Sequence, residues 1–303
     1  MNVEFFVDAV AKAEAGHVFI SEKLHVYPTL DTTMRVVDEL IAAGHKQDTM
    51  VIALEQTAGR GGTDPQTGKP RSWWSGKGNL MFSRITAVPA NACSLETEFV
   101  AAYAVATLIS YLVHRGVVEA KFPNDILIDG AKISGFLVPA TYGWLPANTE
   151  RLVNLGVGIN LATTPPADIL RAAGINKATC LKDHGVNMIG VGEIAALFER
   201  CFAAARQENN AHGFIHILKK IGFADAVTEE ITISPNLAGP PVRGRYLGFV
   251  TEKNEAGTPI EYMRLKMMNG REARVETKSY STRGIIKRPA QGEAQAAFHA
   301  THG

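Results

Sequence analysis

Lys121-Phe-Pro-Asn-Asp125-Ile-Leu-Ile-Asp-Gly130-Ala-Lys132-Ile-Ser-Gly135 is the most informative stretch of this chain. Its apolar run 126–128 indicates a strand, Asp129-Gly130 is typical of a tight hairpin turn, and a second apolar run follows at 136–138. Two lysines therefore bracket a buried hairpin. Because a lysine is costly to bury unless an anion compensates its charge, the stretch predicts a site for an anionic ligand.

A glycine-rich segment, Ala58-Gly59-Arg60-Gly61-Gly62, follows a short apolar strand predicted at 50–54. Glycines let backbone N–H groups approach a ligand closely, and an arginine can pair with a carboxylate or phosphate. The segment has neither the Walker A pattern nor the dinucleotide fingerprint, and a solvated surface loop is an equally good interpretation of it alone. Trp73 and Trp74 in the same polar stretch fit either core anchors or rings that close over a planar ligand.

Composition limits the classes of protein to consider. The 303 residues are 46% hydrophobic and 20% charged, as in an ordinary globular protein, and the net charge of +1 argues against a dedicated nucleic-acid binder. Three cysteines without a Cys-x-x-Cys motif fit a reducing compartment. The N-terminus lacks the basic start of a signal peptide, and the longest apolar stretch, 100–113, is too short to span a bilayer. We therefore expect a cytoplasmic protein with no nucleic-acid or membrane partner.

The hydrophobic pattern predicts an α+β fold, with helices covering a mixed, mainly antiparallel sheet. One helix should start at the N-cap Asp31 and end near Gly44. The other predicted helices span 95–115, 166–173, 191–208 and 214–221, and the predicted strands lie at 18–21, 50–54, 79–86, around 126 and 136, and at 152–161. The stretch 56–78 is expected to be irregular.

After Pro235 the sequence pattern changes to one typical of short strands with tight turns. Strands are predicted at 246–251, 260–267 and 273–277, with Asn269-Gly270 as a hairpin turn. This pattern predicts a small C-terminal β-barrel. The predicted organisation is a catalytic domain at 1–235, the barrel at 236–288 and a disordered tail at 289–303.

The sequence offers no convincing metal site or catalytic nucleophile. His212 and His216 have the spacing of a metal-binding helix but no third ligand nearby in sequence, so they are interpreted as ordinary histidines. No Gly-x-Ser-x-Gly motif occurs, so nothing indicates covalent catalysis.

Five motifs together resemble the biotin protein ligase family. In chain order they are the Gly-Arg-Gly loop, Trp-x-Ser followed by Gly-Asn-Leu, Lys121-x-Pro-Asn-Asp125, Lys132-x-x-Gly135 and Gly-x-Gly-Ile-Asn160. The resemblance covers about residues 18–165. It implies a catalytic domain like that of class II aminoacyl-tRNA synthetases, which adenylates biotin with ATP and passes the biotinyl group to a lysine on the biotin carboxyl carrier domain of a carboxylase. Mg²⁺ is implied with ATP, but no ligands for it.

The resemblance also implies roles for individual residues. Lys132 would contact the biotin carboxylate and the α-phosphate, and the catalytic set is Lys132, Arg60, Lys121 and Asp125. The implied biotin-binding residues are Thr32, Thr33, Gln56, Gly59, Arg60, Gly61, Lys132 and Gly135. The implied ATP- or adenylate-binding residues are Arg71, Trp73, Asn79, Lys132 and Asn160.

The chain departs from the family pattern at several positions. Met34 stands where the family has asparagine, Gly62 replaces an arginine, and 63–70 is an insertion. Because the motifs begin close to the N-terminus, the DNA-binding domain of the family's repressor members is not expected. Two alternatives stay open, a lipoate or octanoate ligase on the same scaffold and a non-catalytic biotin-binding relative.

Overall fold

The computed structural model describes residues 2–63, 70–89, 94–121, 124–139, 143–144, 150–187, 189–222, 230–233, 242–253, 255 and 259–276. Its helices are α1 Val3–Glu14, α2 Thr33–Ala42, α3 Ser94–Leu112, α4 Ala167–Ala172, α5 Val191–His212 and α6 Phe214–Lys220, with a 3-10 helix at Leu181–His184. Its strands are β1 Phe19–Ile20, β2 Leu24–Tyr27, β3 Met50–Ala53, β4 Arg60–Thr63, β5 Pro70–Ser72, β6 Leu80–Pro89, β7 Val118–Lys121, β8 Asp125–Ile128, β9 Ala131–Leu137, β10 Gly143–Trp144, β11 Glu150–Ile159, β12 Glu230–Ile233, β13 Val242–Lys253, β14 Pro259–Lys266 and β15 Glu272–Glu276.

A large sheet organises the N-terminal part. Its strand order is β1-β2-β3-β6-β11-β9-β8-β7, with β10 paired to β11. Only the β2–β3 pair is parallel among these described strands. The predicted mixed, mainly antiparallel sheet is therefore confirmed.

Helices cover the two faces of this sheet unequally. On one face α1, α3 and α5 pack over large apolar residues, as in the contact between Phe82 of β6 and Phe198 of α5, whose ring centroids lie 4.7 Å apart. On the other face α2 covers Val51 and Ile85 with its own Val36 and Val37. Because α2 is short, it covers only part of that face, and the candidate site lies beside its N-terminus.

The C-terminal strands form a four-stranded antiparallel sheet in the order β12-β13-β14-β15. Phe214 of α6 packs against Tyr246 and Phe249 of β13, with ring centroids 5.4–5.5 Å apart, and so joins this sheet to the helical layer. Strand β12 precedes the predicted boundary at 235, so this sheet begins before that residue. The predicted tail at 289–303 lies outside the described residues.

Two local predictions were wrong. The N-cap of α2 is Thr32, whose hydroxyl accepts from the Met34 N–H, while Asp31 pairs with Arg35 at 2.6 and 2.8 Å. Hydrogen bonding to Arg35 lowers the pKa of Asp31 to about 2. The stretch 56–78 was expected to be irregular, but it contains the β4–β5 hairpin. Short polar strands such as these carry no apolar alternation, so the sequence pattern missed them.

Among the described residues, no helix is both long and apolar enough to cross a membrane.

The free energy of unfolding should depend on pH through His25 of β2. This side chain is only 5% exposed, and burial, followed by the nearby His45, lowers its pKa below 6.5. As the pH falls below about 6.5, the unfolded chain takes up a proton that the folded chain resists, so stability is lost by at most about 1.4 kcal/mol per pH unit.

Urea unfolding should therefore give a lower free energy at about pH 5.5 than at pH 7.0. The difference should shrink in His25→Leu, which removes the titrating ring. An equal difference in the two proteins would contradict this assignment.

Candidate functional site

Four residues on neighbouring strands fall in one row across the open part of the sheet. Gly158 of β11 pairs with Gly135 of β9, Gly135 pairs with Asp125 of β8, and Asp125 pairs with Lys121 of β7. Residues in register on adjacent strands point to the same face. The two glycines therefore form a flat floor, and the two charged side chains stand at its edge.

A β-bulge places Lys132 on the same face. Lys132 and Gly135 are three residues apart, so a regular strand would direct them to opposite faces. The β8–β9 register instead skips Ile133, since Ser134 pairs with Ile126 and Lys132 pairs with Leu127. The extra residue restores the alignment, and Lys132 Nζ lies 3.3 Å from the point where a Cβ at Gly135 would be.

The charges at this edge are unequal. Asp125 Oδ1 lies 2.5 Å from Lys132 Nζ, and its Oδ2 lies 3.9 Å from Lys121 Nζ. The Lys132 and Asp125 side chains are each only 17% exposed. Two lysines against one carboxylate leave one positive charge in a partly desolvated place, which suits an anionic ligand. An anionic ligand is also what the sequence predicts for this stretch.

Trp73 lies on the glycine floor. A Cβ at Gly158 would overlap its ring atoms, one at Gly135 would come within 2.9 Å of them, and Lys132 Nζ lies 5.3 Å from the ring centroid. The Trp73 N–H donates to Gly59 O at 2.9 Å. A Cβ at Gly59 would overlap the Trp73 carbonyl, so glycine is required there as well. Trp73 therefore connects the glycine-rich segment to the lysine edge.

A second, uncharged cluster lies at the N-terminus of α2. Gln56 Oε1 accepts from the Thr33 N–H at 2.8 Å and from its hydroxyl at 3.2 Å, while Gln56 Nε2 donates to Ser75 Oγ at 3.0 Å. The Thr33 hydroxyl also lies 2.8 Å from Ser83 Oγ. These bonds orient the amide and leave a group of donors and acceptors that can bind an uncharged polar ligand.

Met34 packs against strand β11 beside this cluster. Gly156 pairs with Ser83, and a Cβ at Gly156 would lie 3.1 Å from Met34 Sδ. Asn154 of the same strand donates to Met34 O at 2.8 Å and so holds the first turn of α2 on the sheet. The apolar side chain of Met34 therefore lies next to the polar cluster. Met34 is one of the positions at which the sequence departs from the family pattern.

An open pocket lies beside Trp73, which forms part of its wall. Apart from Lys132, Asn160 and Ser72, its lining is apolar or aromatic, as is typical of sites for planar ligands. The other lining residues are Trp73, Trp74, Pro165, Ile169, Leu170, Ala173, Ile175 and Ala178.

Three further residues of the predicted site have different surroundings. Arg60 and Arg71 are exposed on the β4–β5 hairpin, where Arg71 Nε donates to Gly62 O at 3.3 Å. Asn79 is 2% exposed, and its Oδ1 accepts the N–H groups of Leu161, Ala162 and Thr163. Asn79 therefore shapes the chain that leads to the pocket wall. Residues 64–69 of the insertion lie outside the described residues.

The structure adds two site residues to which the sequence assigned no role, and it places at the pocket a third, Trp74, whose role the sequence left open. Ser75 and Ser83 complete the polar cluster, and Trp74 lines the pocket. Ser75 belonged to the Trp-x-Ser motif and could have been found there. Ser83 lies within a run of buried strand residues and carries no sequence signal.

Residues 26–160 match the family described as the biotin/lipoate A/B protein ligase family. That span contains the glycine floor, both lysines and the polar cluster. The chain is therefore similar to biotin/lipoate ligases over residues 26–160, which make up less than half of its length.

Two curated biotin ligases have sequences similar to this chain. The chain is 26% identical over 179 residues to a biotin–[acetyl-CoA-carboxylase] ligase of Paracoccus denitrificans, covering 58% of this chain and 70% of that protein. It is 27% identical over 203 residues to the bifunctional ligase/repressor BirA of Bacillus subtilis (strain 168), covering 65% of this chain. The chain spans 58% of the length of that Bacillus protein.

Solved structures show that the likeness in fold extends beyond residues 26–160. The biotin protein ligase of Aquifex aeolicus, in complex with biotin and ATP, has a TM-score of 0.55 at 19% identity, over 87% of this chain and all of that one. The Leishmania major enzyme, in complex with biotin, has a TM-score of 0.51 at 22% identity, over 84% of this chain and 99% of that one. The likeness supports the predicted fold class.

Replacing Gly158 should displace Trp73 from the floor. The added methyl group of Gly158→Ala would overlap the indole, so the ring must move toward solvent and tryptophan fluorescence should shift to longer wavelength. Gly62→Ala is the matched control, because its Cβ would meet Arg71 only at an ordinary 3.6 Å. A shift that persists when Gly158→Ala is made in a Trp73→Phe background would show that another tryptophan reports it.

Proposed function

We propose that this chain is an ATP-dependent biotin protein ligase, which forms biotinyl-AMP and transfers the biotinyl group to a lysine of a biotin carboxyl carrier domain. The observation that carries the proposal is the placement of Lys132. Lys132 lines an apolar pocket that suits a purine. The glycine floor beside it continues along β11 to Gly156, which pairs with Ser83 of a polar cluster that suits an uncharged ring. If biotin binds at the cluster and ATP in the pocket, the biotin carboxylate and the α-phosphate would both lie next to the Lys132 ammonium group.

The polar cluster suits the head group of biotin. The ureido ring offers two N–H donors and one carbonyl acceptor, which Thr33, Gln56 and Ser83 can satisfy with hydroxyl and amide groups. The aliphatic tail would then run along the floor of Gly158 and Gly135 and bring its carboxylate to Lys132. Since Trp73 lies on that floor, biotin entry requires the indole to move.

The apolar pocket suits the adenine of ATP. Asn160 is 3% exposed, and its Nδ2 donates to Thr179 O at 3.1 Å, so the orientation of its amide is determined and Oδ1 is left as the acceptor for a ligand. Mg²⁺ would arrive on the phosphates of ATP. Among the described residues, no group of three or more His, Cys, Asp or Glu is arranged to hold a metal ion.

In the first step, a biotin carboxylate oxygen attacks the α-phosphorus and pyrophosphate leaves. Two anions approach each other, and negative charge spreads over the phosphoryl oxygens in the transition state. Lys132 offsets this charge, and it does so more effectively because its side chain is only 17% exposed. Transfer of Lys132 from Asp125 to the substrates also frees the Asp125 carboxylate.

In the second step, the amine of the carrier lysine attacks the acyl carbon, an amide bond forms and the bond to AMP breaks. The attacking amine must lose a proton. Asp125 is the carboxylate in the Gly158–Lys121 row and is placed to accept that proton, while Lys121, 46% exposed, stands at the outer edge.

A lipoate ligase is the second candidate, since the matched family includes such enzymes. The dithiolane ring of lipoate has no N–H or carbonyl group and would leave Thr33, Gln56 and Ser83 without ligand partners. A site that hydrogen-bonds a polar substrate group discriminates strongly against an analogue that lacks this group. The polar cluster therefore favours biotin.

The purified protein should label an apo carrier domain with biotin when supplied with ATP and Mg²⁺, and should label it far less with lipoate in a parallel reaction. Mass spectrometry of the carrier measures both. Labelling with lipoate alone would replace the proposal with the second candidate. Biotin binding without ATP–pyrophosphate exchange would indicate a non-catalytic relative.

Lys132→Ala should lower the rate of biotin-dependent ATP–pyrophosphate exchange by about 100-fold or more, because it removes the charge that offsets the transition state. The melting temperature should change little. Lys77→Ala is the control, since that side chain is 82% exposed and lies 3.9 Å from Glu55. Exchange in Lys132→Ala at the rate of the Lys77→Ala control would overturn the role assigned to Lys132.

A further inference from the structure

Thr179 contacts two polar residues that line the pocket, Lys132 and Asn160. Its N–H donates to Lys132 O at 2.9 Å, and its carbonyl accepts from Asn160 Nδ2 at 3.1 Å. The residue is 7% exposed. A single peptide segment therefore contacts both the lysine at the α-phosphate and the asparagine at the adenine.

The segment also supports the bulge that directs Lys132. The Lys132 N–H donates to Lys177 O at 2.9 Å, so residues 177–179 hold the peptide of Lys132 on both its N–H and C=O sides. A bulge disrupts the regular ladder between two strands. Here the segment 177–179 supplies backbone partners at the position where the β8–β9 pairing is irregular.

The Thr179 side chain anchors this segment to the 3-10 helix that follows. Its hydroxyl lies 2.9 Å from His184 Nε2 and 3.4 Å from Asp183 Oδ2. Asp183 Oδ2 in turn accepts the Cys180 N–H at 3.3 Å. The hydroxyl therefore links residues 177–179 to a short helix that packs on the core through Leu181.

We propose that Thr179 is a positioning residue that aligns Lys132 with the nucleotide pocket, an inference that rests on the proposed ligase function. Loss of its hydroxyl removes the side-chain hydrogen bonds that tie the segment to His184 and Asp183. Lys132, Asn160 and the pocket wall at Ala178 then lose a common support. The polar cluster at α2 is built from other elements and stays in place, so the effect falls on ATP and on adenylation rather than on biotin binding.

Thr179→Val tests this with little change of shape, because it replaces the hydroxyl with a methyl group. In biotin-dependent ATP–pyrophosphate exchange we expect kcat/KM for ATP to fall by about tenfold or more, with KM rising and kcat falling together. The dissociation constant for biotin, measured by calorimetry without ATP, should stay within about twofold of the wild type. Thr179→Ser keeps the hydroxyl and should retain most of the activity.

Thr49→Val is the matched control. Thr49 is also buried, at 2% exposure, and its hydroxyl donates to Lys46 O at 3.0 Å, away from the pocket. This variant can lower the melting temperature, but its kcat/KM for ATP should equal that of the wild type. If Thr179→Val and Thr49→Val lose activity equally, the effect is general destabilisation and the proposal is wrong.

Two further outcomes would overturn the positioning role while leaving the ligase function intact. One is wild-type kcat/KM for ATP in Thr179→Val, and the other is a loss in Thr179→Ser as large as that in Thr179→Val. Absence of exchange in the wild-type protein would instead refute the proposed function, and the role of Thr179 with it.

Discussion

The bulge at Ile133 is the constraint on which the candidate site depends. Without the extra residue, Lys132 would point to the helix-covered face of the sheet, where Ile133 is now fully buried. With it, Lys132 shares a face with Gly135, Gly158 and Asp125. Burying a lysine among the apolar helices would cost far more than the irregular pairing, so the polar arrangement is the stable one.

Gly135 and Gly158 form a flat surface beside Lys132, on which a planar group can pack. Trp73 takes this position in the structure, and its contact with Gly158 tolerates no Cβ. The same flatness would serve the thin aliphatic tail of biotin. The backbone N–H of Trp73 donates to Gly59 O, so the residue whose ring covers the floor is paired with the glycine-rich segment. A motif distant in sequence therefore belongs to the same site.

The order of the motifs predicted several residues that the structure brings together. The prediction worked better for residues on apolar strands than for residues on polar segments. Lys132, Asp125, Gly135 and Trp73 come together as expected, because each lies on or against a strand whose apolar pattern was readable. Arg60 and Arg71 lie on a polar hairpin that the pattern missed, and Asn79 turned inward to bind backbone groups. The N-cap moved by one residue to Thr32, since Arg35 takes Asp31 as an ion-pair partner.

The sequence by itself determined the residue types, the helix and strand classes of the long periodic segments, and the pairing of β8 with β9 through Asp129-Gly130. These depend on contacts between near neighbours, which local pattern records. Only the tertiary structure decided that the Lys132 bulge is held by residues 177–179, that Ser83 joins Thr33, and that Trp73 lies on Gly158. Each of these contacts joins segments far apart in the chain, and no local pattern carries that information.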